Sequence, residues 1–169
     1  MLKRFYPKEY VKSVYHIDYK RLKKMGIKGL VFDLDNTLAP FDIEKPTKEI
    51  DDFIKKLLAD DFKVCLVSNN KGKRVEIFNE EMKLPFVSKA GKPKKKGILS
   101  GLKQLELNPR EAVMIGDQMF TDVWVGNRIK MYTILVKPIC DRDEFTVKLK
   151  RGTEKIVFKR YKKYVKKQK

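Results

Sequence analysis

The chain is poor in the residues that most often build metal centres and cross-links. Among 169 residues there is one histidine, His16, one tryptophan, Trp124, and two cysteines, Cys65 and Cys140. Two thiols at unrelated spacing supply neither a disulfide framework nor a cysteine metal site. Cys65 lies in the apolar run Val64-Cys65-Leu66-Val67, so it reads as a reduced core thiol in a reducing compartment. A lone histidine leaves no imidazole cluster for zinc, and His16 reads as structural. No apolar stretch approaches the roughly 20 residues that span a bilayer, and none of signal-peptide length follows the basic start MLKRFYPKEY. The expectation is a protein that does not cross a membrane.

Acids are also scarce. Asp and Glu total 22 against 40 Lys and Arg, a formal net charge of +18. Such a balance attracts polyanions, either nucleic acid or an anionic lipid surface. The surplus is uneven: residues 148–169 carry eleven Lys or Arg and one acid, Glu154. With 42% hydrophobic residues the length suits one domain with a real core.

After an N-terminal segment with a helical stretch at Tyr19–Lys24, strand and helix patterns alternate. Short branched apolar runs predict strands at Ile27–Phe32, Phe62–Val67, Pro85–Val87, Ala112–Ile115 and Met131–Val136. Between them, Pro46-Thr47 opens a helix with apolar positions Ile50, Phe53, Ile54, Leu57 and Leu58. Further helices are predicted at Lys71–Met82, Lys94–Leu105 and Thr121–Arg128. This alternation specifies an α/β fold, a Rossmann-like parallel sheet flanked by helices on both faces. Three segments follow: residues 1–26 packing on the core, a core over 27–147, and a basic amphipathic tail over 148–169.

In an open parallel sheet, ligands bind beyond the carboxyl ends of the strands. The residues there are unusual for a basic protein. Asp33 and Asp35 follow the first core strand in FDLDNTL, Ser68 and Asn69 follow the second, and Lys92-Pro93 follows the third. Asp117 follows the fourth, with Asp122 five residues later. Clustered carboxylates repel and require a cation; with oxygen donors alone, Mg²⁺ suits Asp33 and Asp117. A carboxylate beside that ion can attack phosphorus, and the second Asp of the pair can shuttle the proton. Ser68 and the backbone N–H groups after it can hold phosphate oxygens, while Lys92 neutralises charge. Lys89, Lys94, Lys95 and Lys96 crowd the same segment.

FDLDNTL, VSNN, Lys92-Pro93 and GDQMFTD together resemble the four ordered motifs of the haloacid dehalogenase-like (HAD) phosphatases, over roughly Gly29 to Val136. The resemblance implies Asp33 as nucleophile, Asp35 as general acid/base, and Ser68 and Lys92 as phosphate binders. It implies Mg²⁺ held by the side chains of Asp33 and Asp117 and the backbone carbonyl of Asp35, with Asp122 in support. Thr37 is assigned to the phosphate-binding turn.

Neither the gap from Thr37 to the second strand nor that from Ser68 to Lys92 can house a folded lid, so no cap domain is expected. An open rim suits a phosphate presented by something large. In the tail, Ile156, Val157, Phe158, Tyr161, Tyr164 and Val165 form an apolar stripe at helical spacing. Lys159, Arg160, Lys162, Lys163, Lys166 and Lys167 fill the remaining positions. A basic amphipathic helix reads as a membrane-surface segment. The whole chain is similar to the bacterial YqeG family of cap-less phosphatases, related to mitochondrial phosphatidylglycerophosphatase. That likeness rests on FYPKEYVKSVYHIDYKRLKKMGIKGLVFDLDNTL and GDQMFTDVWVGN. It implies a phosphorylated lipid substrate, phosphatidylglycerophosphate, and a cytoplasmic protein able to lie on the inner face of the cell membrane. Two alternatives stand beside it: a phosphatase for nucleic-acid ends or a phosphoprotein, and a non-enzymatic receiver-like domain. Receivers place their phosphorylated Asp after a middle strand and lack the second Asp, which favours an enzyme.

Overall fold

The computed structural model describes residues 2–140 and 145–168. Residues 141–144, which fall within the 27–147 reading, lie outside the described residues, as do the two terminal residues. The elements are β1 (Glu9–Val11), α1 (Tyr19–Lys24), β2 (Gly29–Phe32), α2 (Lys48–Ala59), β3 (Lys63–Val67) and α3 (Gly72–Asn79). They continue with β4 (Phe86–Val87), α4 (Lys95–Leu105), β5 (Ala112–Gly116), α5 (Trp124–Arg128), β6 (Tyr132–Val136) and α6 (Phe145–Lys166). The six strands form one sheet in the order β1-β6-β5-β2-β3-β4. Every pairing is parallel.

Parallel strands covered on both faces need apolar residues at every position, not alternate ones. The central strands obey this: all four residues of β2 are buried. Leu30 and Phe32 pack on one face with Ile54, Leu57, Leu66 and Phe78. Val31 points to the other, where Cys65, Ile98, Leu102 and Met114 lie. The chain leaves β2 toward β3 in one direction and reaches β5 on the opposite side. The β2/β5 boundary is therefore the switch point of the sheet.

Several boundaries differ from expectation for local reasons. The helix predicted to run to Met82 stops at Asn79, whose amide bonds both the N–H and the carbonyl of Leu84 at 3.0 and 2.7 Å. That clamp turns the chain into β4. The expected helix Thr121–Arg128 is instead a π-turn at Met119–Val123 followed by α5. A sixth strand, β1, pairs with β6 in the register Glu9 to Ile134 and Val11 to Val136. Three half-exposed residues carry too little pattern to predict a strand.

The tail, read as a basic amphipathic segment, packs its apolar stripe on the protein itself. Val157 and Tyr161 are buried against Phe5, Met119, Val123 and Leu135. Tyr161 and Tyr164 meet the ring of Tyr6, and Phe158 stands edge-on to Tyr10 at 4.8 Å. Burial onto the protein satisfies most of the stripe, leaving Ile156 exposed. Trp124 is half-buried, edge-on to Phe5. His16 is exposed and hydrogen-bonded with Ser13, so it takes no part in the strand-end cluster. Among the described residues no helix is long and apolar enough to cross a membrane.

Candidate active site

The site forms where β2, β3 and β5 run out. Asp33 extends the ladder by one bond, its N–H donating to the Ile115 carbonyl at 2.8 Å. The chain then turns sharply at Asn36, whose φ of 62° is left-handed, a conformation asparagine tolerates. The Asn36 N–H bonds the Ala39 carbonyl at 2.7 Å and closes the turn. Asp33 and Asp35 are thereby sent in different directions.

Lys92 is the hub. Its ammonium lies 2.5 Å from Asp33 Oδ1, 2.7 Å from Asp122 Oδ1 and 3.1 Å from the Val67 carbonyl. Lys92 is buried, whereas Lys89, Lys94, Lys95 and Lys96 are exposed, so geometry separates it from its crowded neighbours. Its loop, which includes the cis Lys92-Pro93 peptide, is fixed by Asn69. The Asn69 amide accepts from the Lys92 N–H at 2.7 Å and donates to the Lys92 carbonyl at 3.1 Å. Burial opposes the charge on Lys92, but Asp122 and Asp33 outweigh it and hold the ammonium above its ordinary value.

On Asp33 the balance runs the other way. Burial pushes its carboxyl up to about 7, with Lys92 pulling down and Asp122 and Asp35 pushing up. One lysine does not offset the acids around it. Asp33, Asp117 and Asp122 are all buried and offer carboxylate oxygens within 4.8 Å of one another. Among the described residues three carboxylates gather around one ammonium, an arrangement that a hard divalent cation with oxygen ligands relieves. The donor set therefore fits Mg²⁺. Asp122 is partly engaged already, since its other oxygen accepts from the Gln118 N–H at 3.1 Å. Gly116 permits this packing: a Cβ there would fall 2.4 Å from the Asp122 carboxyl.

Asp35 stands apart from the acids. Its Oδ2 accepts from the Ser68 hydroxyl at 3.1 Å and from the Asn70 amide at 3.2 Å. Its Oδ1 faces the Arg74 guanidinium at 3.4 Å. Of the assigned metal set, the structure gathers the side chains of Asp33 and Asp117; Asp35 is assigned through its backbone carbonyl, which leaves its carboxylate free to face Ser68, Asn70 and Arg74. Thr37 and Asn69, both candidates for substrate contact from their motifs, have protein partners in this structure. The Thr37 hydroxyl donates to Asp33 Oδ2 at 3.2 Å, and the Asn69 side chain is spent on the Lys92 loop. Arg74 and Asn70 were not singled out by the sequence. Arg74 is one cation among many on a helix, and its contact with Asp35 depends on a turn more than 30 residues away.

A parallel sheet with this acid–lysine cluster at its switch point defines a phosphatase of the HAD superfamily, a hydrolase of phosphate monoesters. Comparison with known proteins carries this further. Residues 2–140 match the family described as mitochondrial PGP (phosphatidylglycerophosphate) phosphatase, and the chain belongs to that family. It is 39% identical over 156 residues to the probable phosphatase YqeG of Bacillus subtilis, covering 92% of this chain and 91% of that protein. It is 32% identical to the chloroplastic phosphatidylglycerophosphate phosphatase 1 of Chlamydomonas reinhardtii, over 78% of this chain but 52% of that protein. The fold is similar to a HAD-superfamily hydrolase from Ehrlichia chaffeensis, with TM-score 0.53 at 14% identity, covering 64% of this chain and 87% of that one.

Proposed function

We propose that the protein is a Mg²⁺-dependent phosphatase that removes the terminal phosphate of phosphatidylglycerophosphate at a membrane surface through an aspartyl-phosphate. The observation that carries the chemistry is the triangle of Asp33, Lys92 and Asp122 beside Asp117. Thr37 and Lys92 each hold one oxygen of Asp33, fixing the carboxylate for attack on phosphorus. As the Asp33 oxygen bonds to phosphorus, the bond to the alcohol oxygen breaks, and Asp35 gives that oxygen its proton. Water then attacks the phosphorus, Asp35 takes the proton back, and phosphate departs with Asp33 restored. Ser68 and Asn70, which hold Asp35 in this structure, are the donors that incoming phosphate oxygens would meet. Asp33, Asp117 and the Asp35 carbonyl would hold Mg²⁺, which supplies neutralisation of the charge gathering on the phosphoryl oxygens.

The lipid assignment is supported by the relatives named above and by two features of the chain. Between Thr37 and β3 stands α2, and between β3 and Lys92 stand α3 and the two-residue β4, so neither connection carries a cap domain. The tail's Lys159, Arg160, Lys162, Lys163, Lys166 and Lys167 are all exposed, while its apolar stripe packs inward. Contact with an anionic leaflet would then be electrostatic, at about 1 kcal/mol per basic residue near the surface. A cytoplasmic protein held at the inner face of the membrane fits this arrangement.

The deciding experiment measures phosphate release from phosphatidylglycerophosphate in detergent micelles against soluble phosphomonoesters and phosphorylated nucleic-acid ends. Preference for the lipid ester is expected, with Asp33→Asn and Asp35→Asn folded but inactive. Turnover by Asp33→Asn would refute the covalent route, and preference for nucleic-acid ends would refute the lipid assignment. Binding to phosphatidylglycerol vesicles should exceed binding to zwitterionic vesicles and fall with added salt.

A further inference from the structure

A cavity of about 210 Å³ opens beside Asp117, and the protein's two ends build it. Tyr10 of β1, Met119 of the π-turn, and Glu154, Lys155 and Phe158 of α6 line it together with Asp117. The Tyr10 and Phe158 rings meet edge-on at 4.8 Å and form one wall. Glu154 is buried, its Oε1 accepting from the Phe120 N–H at 2.8 Å, so its carboxylate is directed into the protein. Lys155 is exposed and, among the described residues, is the one cation of the lining.

We propose that this cavity is the subsite for the alcohol side of the substrate, with Lys155 pairing to a second phosphate carried by that alcohol. The inference rests on the function proposed above. Three observations lead to it. The cavity shares Asp117 with the acid cluster, so it adjoins the place where phosphorus would meet Asp33 and can take the alcohol that leaves phosphorus. Its size is below the roughly 300–1,000 Å³ of pockets that enclose whole drug-sized ligands, so it suits a glycerol unit and leaves acyl chains outside. Its lining carries two buried carboxylates, Asp117 and Glu154, and the exposed Lys155. An anion held away from the reacting phosphate thus finds its cation, while one bound deeper would face a carboxylate. The final helix, folded back over the sheet edge, does the reading that a cap domain would otherwise do.

The test compares kcat/KM for a soluble short-chain phosphatidylglycerophosphate with that for glycerol 3-phosphate, which lacks the second phosphate. Wild-type protein should prefer the former. Lys155→Ala should reduce the ratio about tenfold, chiefly through KM, as loss of a charge-assisted contact does, and Lys155→Arg should restore most of it. Urea unfolding of each variant verifies that the fold is intact. A preserved ratio in Lys155→Ala would overturn the subsite while leaving the lipid assignment standing. Absence of any preference in the wild type would overturn the lipid assignment, and the subsite with it.

Discussion

Glu154 Oε1 accepts a 2.8 Å hydrogen bond from the Phe120 N–H, so a carboxylate of the last helix grips the turn between Asp117 and Asp122. The tail is therefore part of the fold rather than an appendage. Glu154→Ala should cost about 1–3 kcal/mol, since it strands a backbone donor. Glu154→Gln, which keeps an acceptor, should cost less. Deleting residues from Glu154 onward removes Val157 and Tyr161 from Phe5, Met119, Val123 and Leu135. At about 1.5–3 kcal/mol per large side chain, that loss is comparable to the stability of many domains. Urea titration checks both cases. An unchanged midpoint in the truncated chain would show that this packing is dispensable.

Lys92 pairs with two buried carboxylates at once, so its removal should injure stability and activity together. Lys92→Met fills a similar volume without charge and leaves Asp33 and Asp122 facing each other. Breaking a buried pair by removing one partner costs about 3–5 kcal/mol. The variant should unfold at clearly lower urea and lose at least 10²-fold in kcat. A stable variant lacking only activity would mean that solvent or a cation already carries the charge balance that the lysine is credited with here.

Gly116 offers a subtler disturbance. Adding a single methyl group in Gly116→Ala directs a Cβ at the Asp122 carboxyl, and Asp122 is bound to Lys92. Asp122 must move, and Lys92 with it. Overpacking costs about 1–3 kcal/mol, whereas an ångström of misplacement in a reacting site can cost about 10²-fold in rate. The rate loss should therefore exceed what the change in melting temperature would suggest. A fully active variant would mean that Asp122 does not position the lysine.

What the sequence revealed follows from how its signals are encoded. Buried parallel strands announce themselves as runs such as Leu30-Val31-Phe32, and motif residues sit at their ends, so Asp33, Asp117 and Lys92 were all legible. Side-chain direction was not. The Thr37 hydroxyl donates to Asp33 and the Asn69 amide holds the Lys92 backbone, partners that no motif spacing spells out. Arg74 was invisible because nothing local distinguishes it from Lys71 or Lys73. β1 was missed since three residues cannot show a period. The tail's amphipathic pattern was correctly seen, but periodicity states only that one face seeks burial. Whether lipid or Phe5 and Leu135 cover it depends on the tertiary fold.

Metal dependence can be read from stability without any substrate. The oxygens of Asp33, Asp117 and Asp122 lie within 4.8 Å of one another, and burial raises the Asp33 carboxyl to about 7. A divalent cation bound there relieves repulsion that the folded chain alone sustains, so it binds the native state and not the unfolded one. Ligand present at 100 times its Kd stabilises by about 2.7 kcal/mol. Millimolar Mg²⁺ should accordingly raise the melting temperature by several degrees, and chelation should reverse the shift. Asp117→Asn removes one carboxylate and lessens the repulsion. It should gain little from Mg²⁺, whatever its melting temperature without metal. The opposite ordering, with the variant gaining as much as the wild type, would place the cation away from Asp117.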